Sequence, residues 1–249
     1  MRLVLALGCA AGLAAPGVLR RKRKTRGQQQ VVVVTAALTG GGSLASTVAP
    51  SLGVVVANSL FLSSVPAVVG ARSASSLGDL NPLPWAFTLV NCLAWLHYAF
   101  VVRNKYAFFS NALGVLLGLF YTMTGMAYGS KSQRSQLEAV AVGFSLATLV
   151  ASFCSCFVLE TLEARRALAG LLANAILVIF YAAPLSTLGK VLETKSAASI
   201  YAPLSALNTL NGALWVAYGI AIGDYFIAAP NAAGLALGLV QLACKAIFH

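Results

Sequence analysis

Acidic side chains are nearly missing from this chain. Six stand among 249 residues: Asp79, Glu138, Glu160, Glu163, Glu193 and Asp224. Charged residues of both signs make up 9%, against about 25% in an ordinary soluble domain. Metal and nucleophile signatures are lacking too: there is no CxxC, no HExxH and no GxSxG, and His97 is the one interior histidine. These absences exclude a zinc enzyme or a hydrolase, and no catalytic residue, metal site or cofactor is expected. The five cysteines (Cys9, Cys92, Cys154, Cys156 and Cys244) read as small packing residues, because Cys154 and Cys156 fall on different faces of a helix. Gly40–Gly42 is a linker and not a phosphate loop, since no Lys-Ser/Thr follows it.

What is present is hydrophobic: 59% of residues, with a mean hydropathy of +0.84. The class implied is an all-α integral membrane protein in a lipid bilayer. The net charge of +11 does not argue for nucleic acid, because Arg2, Arg20, Arg21, Lys22, Arg23, Lys24 and Arg26 supply much of it in one terminal cluster. Residues 1–48 read as an N-terminal targeting segment or a disordered tail, with an apolar run at 3–19 followed by RRKRK. The apolar-then-basic order fits an organellar address. The plasma membrane is the expected residence, with a plastid or vacuolar membrane as the alternative.

Seven apolar segments follow, at 50–70, 81–102, 106–128, 137–159, 167–189, 199–222 and 225–248. Each approaches the roughly 20 residues that cross a bilayer core. The chain also repeats itself at a spacing of 120. Asn91, Trp95, Tyr98, Asn111, Gly114 and Gly118 recur without a gap as Asn211, Trp215, Tyr218, Asn231, Gly234 and Gly238. Segments 1–3 and 5–7 are therefore two three-helix repeats, and segment 4 is the linker that gives both the same direction: a 3-1-3 architecture. The expected domains are 49–129, a linker helix within 130–165, and 166–249. Five basic residues (Arg72, Lys131, Arg134, Lys190 and Lys195) against four (Arg103, Lys105, Arg165 and Arg166) put the first segment's entry on the outside by a narrow margin.

With turns at Asn104 and Asp224, Trp95, Asn111, Trp215 and Asn231 lie roughly 10–14 Å below one surface, near the bilayer midplane. Asn91 and Asn211 lie one turn deeper on the same helix faces. Indoles offer apolar faces to a sugar ring, and carboxamides offer donors and acceptors to its hydroxyls. Polar residues at this depth are costly unless paired or facing a cavity; ties between helices are the competing explanation. Tyr98 and Tyr218 read either as gate residues or as interfacial anchors.

YAAPLSTLGKVLETKSA at 181–197, LWVAYG at 214–219 and APNAAG at 229–234 resemble the SWEET (MtN3/saliva) sugar transporters. VPAVVG at 65–70, PLPWAFTLVNCLAW at 82–95 and SNALG at 110–114 extend the resemblance to the first repeat. It implies a bidirectional facilitative sugar uniporter working by alternating access, and a homo-oligomer. It implies that Trp95, Trp215, Asn111 and Asn231 hold the sugar, that Pro66, Pro84 and Pro184 are hinges, and that Tyr98 and Asp224 form the outer gate. The fourth family proline falls on Tyr201, with Pro203 two residues later. Bulky residues at Asn91, Asn211 and Ile179 imply a monosaccharide such as glucose. Two rivals fare worse. A PQ-loop transporter would carry Pro-Gln where this chain has Pro66-Ala67 and Pro184-Leu185. A seven-helix receptor or retinal protein would not repeat at 120, and Lys245 lies too near the chain end to serve it.

Overall fold

The computed structural model describes residues 44–248, with the backbone alone at 182–184. The leader reading of 1–48 lies outside the described residues, apart from 44–48. Among the described residues there are seven crossings and no strand. They are α1 (Leu44–Ser73), α2 (Leu83–Val102), α3 (Lys105–Tyr128), α4 (Lys131–Val158), α5 (Leu162–Thr194), α6 (Ala202–Ala221) and α7 (Tyr225–Phe248). Six of them are long and apolar enough to cross a membrane. The exception is α6, whose hydropathy is diluted by Ser205, Asn208, Thr209 and Asn211. The chain is a multi-pass integral membrane protein with the 3-1-3 topology.

Four of the helices start at polar caps. Asn104 accepts from the backbone N–H groups of Tyr106 and Ala107, both at 3.1 Å. Asp224, at the same place in the second repeat, accepts from Phe226 at 3.1 Å and Ile227 at 3.4 Å. Ser130 and Gln133 form a reciprocal capping box, and Thr161 caps α5. These caps draw α4 and α5 outward beyond the purely apolar stretches, to Lys131 and Leu162.

Prolines break the first helix of each repeat. α1 is interrupted at Ser63–Ser64, with Pro66 in the first turn after the break. α5 is interrupted at Tyr181, with Pro184 in the first turn after it. A proline has no N–H for the carbonyl four residues back, so each break leaves backbone acceptors unclaimed. α2 and α6 begin with proline as well: Pro84 and Pro203 each sit second in their helix, while Tyr201 is the extended residue just before α6. The position filled at the start of α2 is thus filled at the start of α6 by Pro203. Pro230 lies inside α7. The carbonyl of Phe226 that it frees accepts from the Asn174 amide at 3.2 Å.

In each repeat the third helix packs against both others, and α4 lies mainly along α2. The repeats meet through α1 with α6 and α2 with α5. Close crossings rely on repeated glycines. A Cβ on Gly118 would stand 2.8 Å from backbone atoms of Leu89, and one on Gly238 would collide with Thr209.

Successive crossings put turns 74–82, 129–130 and 195–201 on one side (face A) and turns 103–104, 159–161 and 222–224 on the other (face B). Toward face B, one buried cluster joins both repeats, with Trp95, Tyr98, Ile176, Trp215, Tyr218 and Ile227 in it. Toward face A, each repeat keeps its own: Val68, Leu77, Trp85 and Tyr121 in the first, and Leu188, Val191, Ile200 and Cys244 in the second. The halves are therefore joined at face B and apart at face A.

Candidate functional site

The gap between the halves is a cavity of about 450 Å³. It runs from Ser63, Asn81 and Leu204 near face A to Trp95, Trp215 and Ile227 beneath face B. Six of the seven residues expected to bind substrate line it: Asn91, Trp95, Asn111, Asn211, Trp215 and Asn231. All three tryptophans of the chain are in its wall, since Trp85 joins them. Among the described residues, none that lines it is charged.

Ile179 is the exception. It is 45% exposed and absent from the cavity wall. α5 turns Leu177, Phe180 and Tyr181 inward instead, which leaves Ile179 on the outer side of the same turn.

The four asparagines form two kinds of pair. Asn111 donates to the Ala107 carbonyl at 2.9 Å, and Asn231 donates to the Ile227 carbonyl at 2.8 Å. One amide N–H of each is thereby tied to its own helix, and the carboxamide oxygen is left as a fixed acceptor. Asn91 and Asn211 differ: the Oδ1 of each is buried with no hydrogen-bond partner. An unsatisfied buried carbonyl costs about 1–3 kcal/mol, which a ligand hydroxyl would recover.

The repeat contained a further pair that sequence reasoning passed over. Thr88 and Asn208 are 120 apart and both line the cavity, one turn nearer face A than Asn91 and Asn211. The Thr88 hydroxyl donates to the Pro84 carbonyl at 2.9 Å, so it offers the cavity a lone pair.

Beyond the tryptophans, face B is shut. The Tyr98 hydroxyl donates to both oxygens of Asp224, at 2.8 and 2.7 Å. Arg166 contacts the same carboxylate at 3.1 Å. Tyr98 is fully buried and Asp224 is 3% exposed, while the Arg166 side chain is 37% exposed. Tyr218, the counterpart of Tyr98, is buried against Trp215 and Tyr106, with the Asn104 amide facing its hydroxyl. Tyr98 in turn packs on Trp95 and Phe226. The closure is a crossed pair, each tyrosine meeting the third helix of the other repeat. One arm carries charge and the other is neutral. Arg166 had no signal in the repeat, because only the arm that holds Asp224 needs a counter-charge.

Of the prolines, Pro84 lines the cavity and Pro66 is exposed outside it. Pro184 lies in the first turn after the α5 break. His97 is turned away from the cavity, between Ser152 at 3.0 Å and Ser155 at 3.3 Å on the linker helix.

The profile of a family described as "Sugar efflux transporter for intercellular exchange" matches residues 49–133 and 167–249. "Bidirectional sugar transporter SWEET5" of Arabidopsis thaliana is 30% identical over 201 residues, covering 80% of this chain and 84% of that one. "Bidirectional sugar transporter SWEET1b" of Oryza sativa subsp. indica is 33% identical over 205 residues, covering 79% and 77%. A 3.7 Å structure of a eukaryotic SWEET transporter superposes with a TM-score of 0.75 at 28% identity, covering 83% of this chain and 98% of that one.

Proposed function

The chain belongs to the SWEET (MtN3/saliva) family, and from that premise we propose that it carries a monosaccharide such as glucose across a membrane by facilitative alternating access. One observation carries the reading. Two repeat-related walls of tryptophan and asparagine face each other across an uncharged cavity, and two of the asparagines have carbonyl groups that no protein atom satisfies. A neutral polyol suits that wall. Its C–H faces lie on the Trp95 and Trp215 indoles, and its hydroxyls donate to the acceptors of Asn91, Asn111, Asn211 and Asn231. A charged solute would find no counter-charge there, and a buried unpaired charge is expensive.

Thr88 and Asn208 deepen the polar wall toward face A, so the sugar is held on more than one level. Uniport follows from the same wall: a proton-coupled carrier needs an ionisable group in the path, and His97 is bonded to the linker helix instead. We assign face A to the cytosol, where Lys245 joins Arg72, Lys131, Arg134, Lys190 and Lys195. In that sense the form described is open inward, with Tyr98, Asp224 and Arg166 shutting the outer side. The cycle alternates closure at face B with closure at face A, using the proline-bearing breaks as hinges. The plasma membrane is the proposed residence. The relatives are named transporters, and the proposed activity is transport without catalysis.

The three tryptophans all border the cavity, so intrinsic fluorescence of the purified protein reports its occupancy. Titration with glucose is expected to change the emission in a saturable way that Trp215→Phe diminishes. Titration with charged amino acids is expected to leave it unchanged. Saturable changes with an amino acid and none with glucose would refute the assignment.

A further inference from the structure

The breaks in α1 and α5 border the cavity on its face A side. The residues beside them are aromatic: Phe61 and Tyr181, 120 apart in the chain. Each side chain lies on a glycine of the third helix of its own repeat, Phe61 by its ring and Tyr181 by its hydroxyl. A Cβ on Gly114 would come within 2.7 Å of the Phe61 ring, and one on Gly234 within 2.6 Å of the Tyr181 hydroxyl. Gly114 and Gly234 are likewise 120 apart. Side chains do not pack that closely, so the Phe61 ring with the Cys92 sulfur beside it, and the Tyr181 hydroxyl, occupy the space a larger residue would need.

A hydroxyl fastens each contact, and it comes from opposite partners. In the first repeat Tyr121 of α3 donates to the Phe61 carbonyl at 2.8 Å. The break leaves that carbonyl a long 3.4 Å bond from the Ser64 N–H. In the second repeat Tyr181 itself donates to the Pro230 carbonyl of α7 at 3.1 Å. One ring-on-glycine contact is thus secured twice by unrelated residues. Packing alone does not call for a hydroxyl in both places.

We infer that Phe61 on Gly114 and Tyr181 on Gly234 are detents that hold face A open, so that closing the cavity requires each ring to leave its glycine. The inference rests on the alternating-access reading. It makes these four positioning residues, which set the balance between open and closed forms. Among the described residues the halves share no core toward face A, so contacts within each half must fix how far its broken helix stands from the cavity axis. Rings seated at the breaks lie where a small rotation moves the rest of the half-helix farthest.

The test is the labelling of a cysteine in the cavity, which needs no sugar. Asn208→Cys lines the cavity. It would be introduced with Cys154 and Cys156 replaced by alanine, in sealed vesicles with face A toward the bath. Its reaction with a membrane-impermeant maleimide is counted above that of the same chain without it. Gly234→Ala fills the seat and is expected to slow labelling at least tenfold. Gly234→Ala with Tyr181→Ala should label as Tyr181→Ala does alone, because no ring is left to displace. Tyr181→Phe removes only the hydroxyl and should slow labelling a few-fold. That variant carries the test if Gly234→Ala does not elute as a folded species. Unchanged labelling in Tyr181→Phe, or a Gly234→Ala effect that Tyr181→Ala does not relieve, overturns the detents. A chain that carries no sugar but labels as expected would keep the detents and refute the sugar reading.

Discussion

Tyr98→Phe removes one oxygen from the closed end of the cavity and little else. The ring keeps its packing on Trp95 and Phe226, at centroid distances of 5.5 and 6.0 Å. The Asp224 carboxylate keeps Arg166 at 3.1 Å and the N–H groups of Phe226 and Ile227. No charge is stranded, so the loss is that of the hydroxyl alone. A hydrogen bond to a charged acceptor contributes about 1.5–3 kcal/mol, and this one is fully buried. At about 1.4 kcal/mol per factor of ten, the balance at face B should move roughly ten- to a hundredfold toward open. Ala107→Cys, beneath the gate and in the cavity wall, reports it. In intact cells, with Cys154 and Cys156 replaced by alanine, an impermeant thiol reagent added on the face B side reaches that cysteine only through the gate. Tyr98→Phe should raise the labelling rate about tenfold or more. Unchanged or slower labelling would show that the Tyr98–Asp224 contact does not hold the gate.

Four further outcomes are expected. Asn91→Ser with Asn211→Ser should raise sucrose uptake relative to glucose, and adding Ile179→Val should change nothing, because that side chain faces outward; a selectivity shift from Ile179→Val alone would restore it to the site. Glucose uptake should be insensitive to a protonophore and should not exceed the outside concentration, and concentrative uptake abolished by His97→Ala would contradict uniport. Pro66→Ala and Pro184→Ala should lower the maximal rate more than they weaken sugar binding, whereas Tyr201→Ala, at an exposed position outside the helix, should be mild; equal losses in all three would discredit the hinges. Gly118→Ala sets a Cβ against the Leu89 backbone and should cost about 1–3 kcal/mol by overpacking, read as a lower thermal midpoint in detergent, and an unchanged midpoint would mean that the helices can separate there freely.

Much of this arrangement could be read from spacing. A repeat of 120 makes residues at one depth recognisable without a structure, and it brought Asn91, Trp95, Asn111 and their partners to one cavity. The turns at Asn104 and Asp224 were legible for the same reason: a capping side chain is a local feature. Ile179 stands between Pro184 and the cavity-lining Leu177, but the α5 break at Tyr181 separates it from the proline and its turn faces outward, which no spacing in the sequence reveals. Thr88 and Asn208 obey the repeat but differ in type, so identity matching passed over them. Arg166 answers a charge found in one repeat only, and the hydroxyls of Tyr121 and Tyr181 act through backbone carbonyls. Neither kind of contact leaves a pattern in a single sequence. Pro203 shows the reverse: it looked displaced against the family's spacing, yet it sits second in its helix as Pro84 does.

We propose that the cavity between the two repeats carries a monosaccharide. Uptake of labelled glucose into liposomes holding the purified chain tests it most directly, with Asn231→Ala reconstituted to the same density. The parent should equilibrate glucose with the lumen and Asn231→Ala should not, although it elutes from detergent as the parent does. Normal uptake by Asn231→Ala, or a parent that moves no glucose while moving another class of solute, would contradict it.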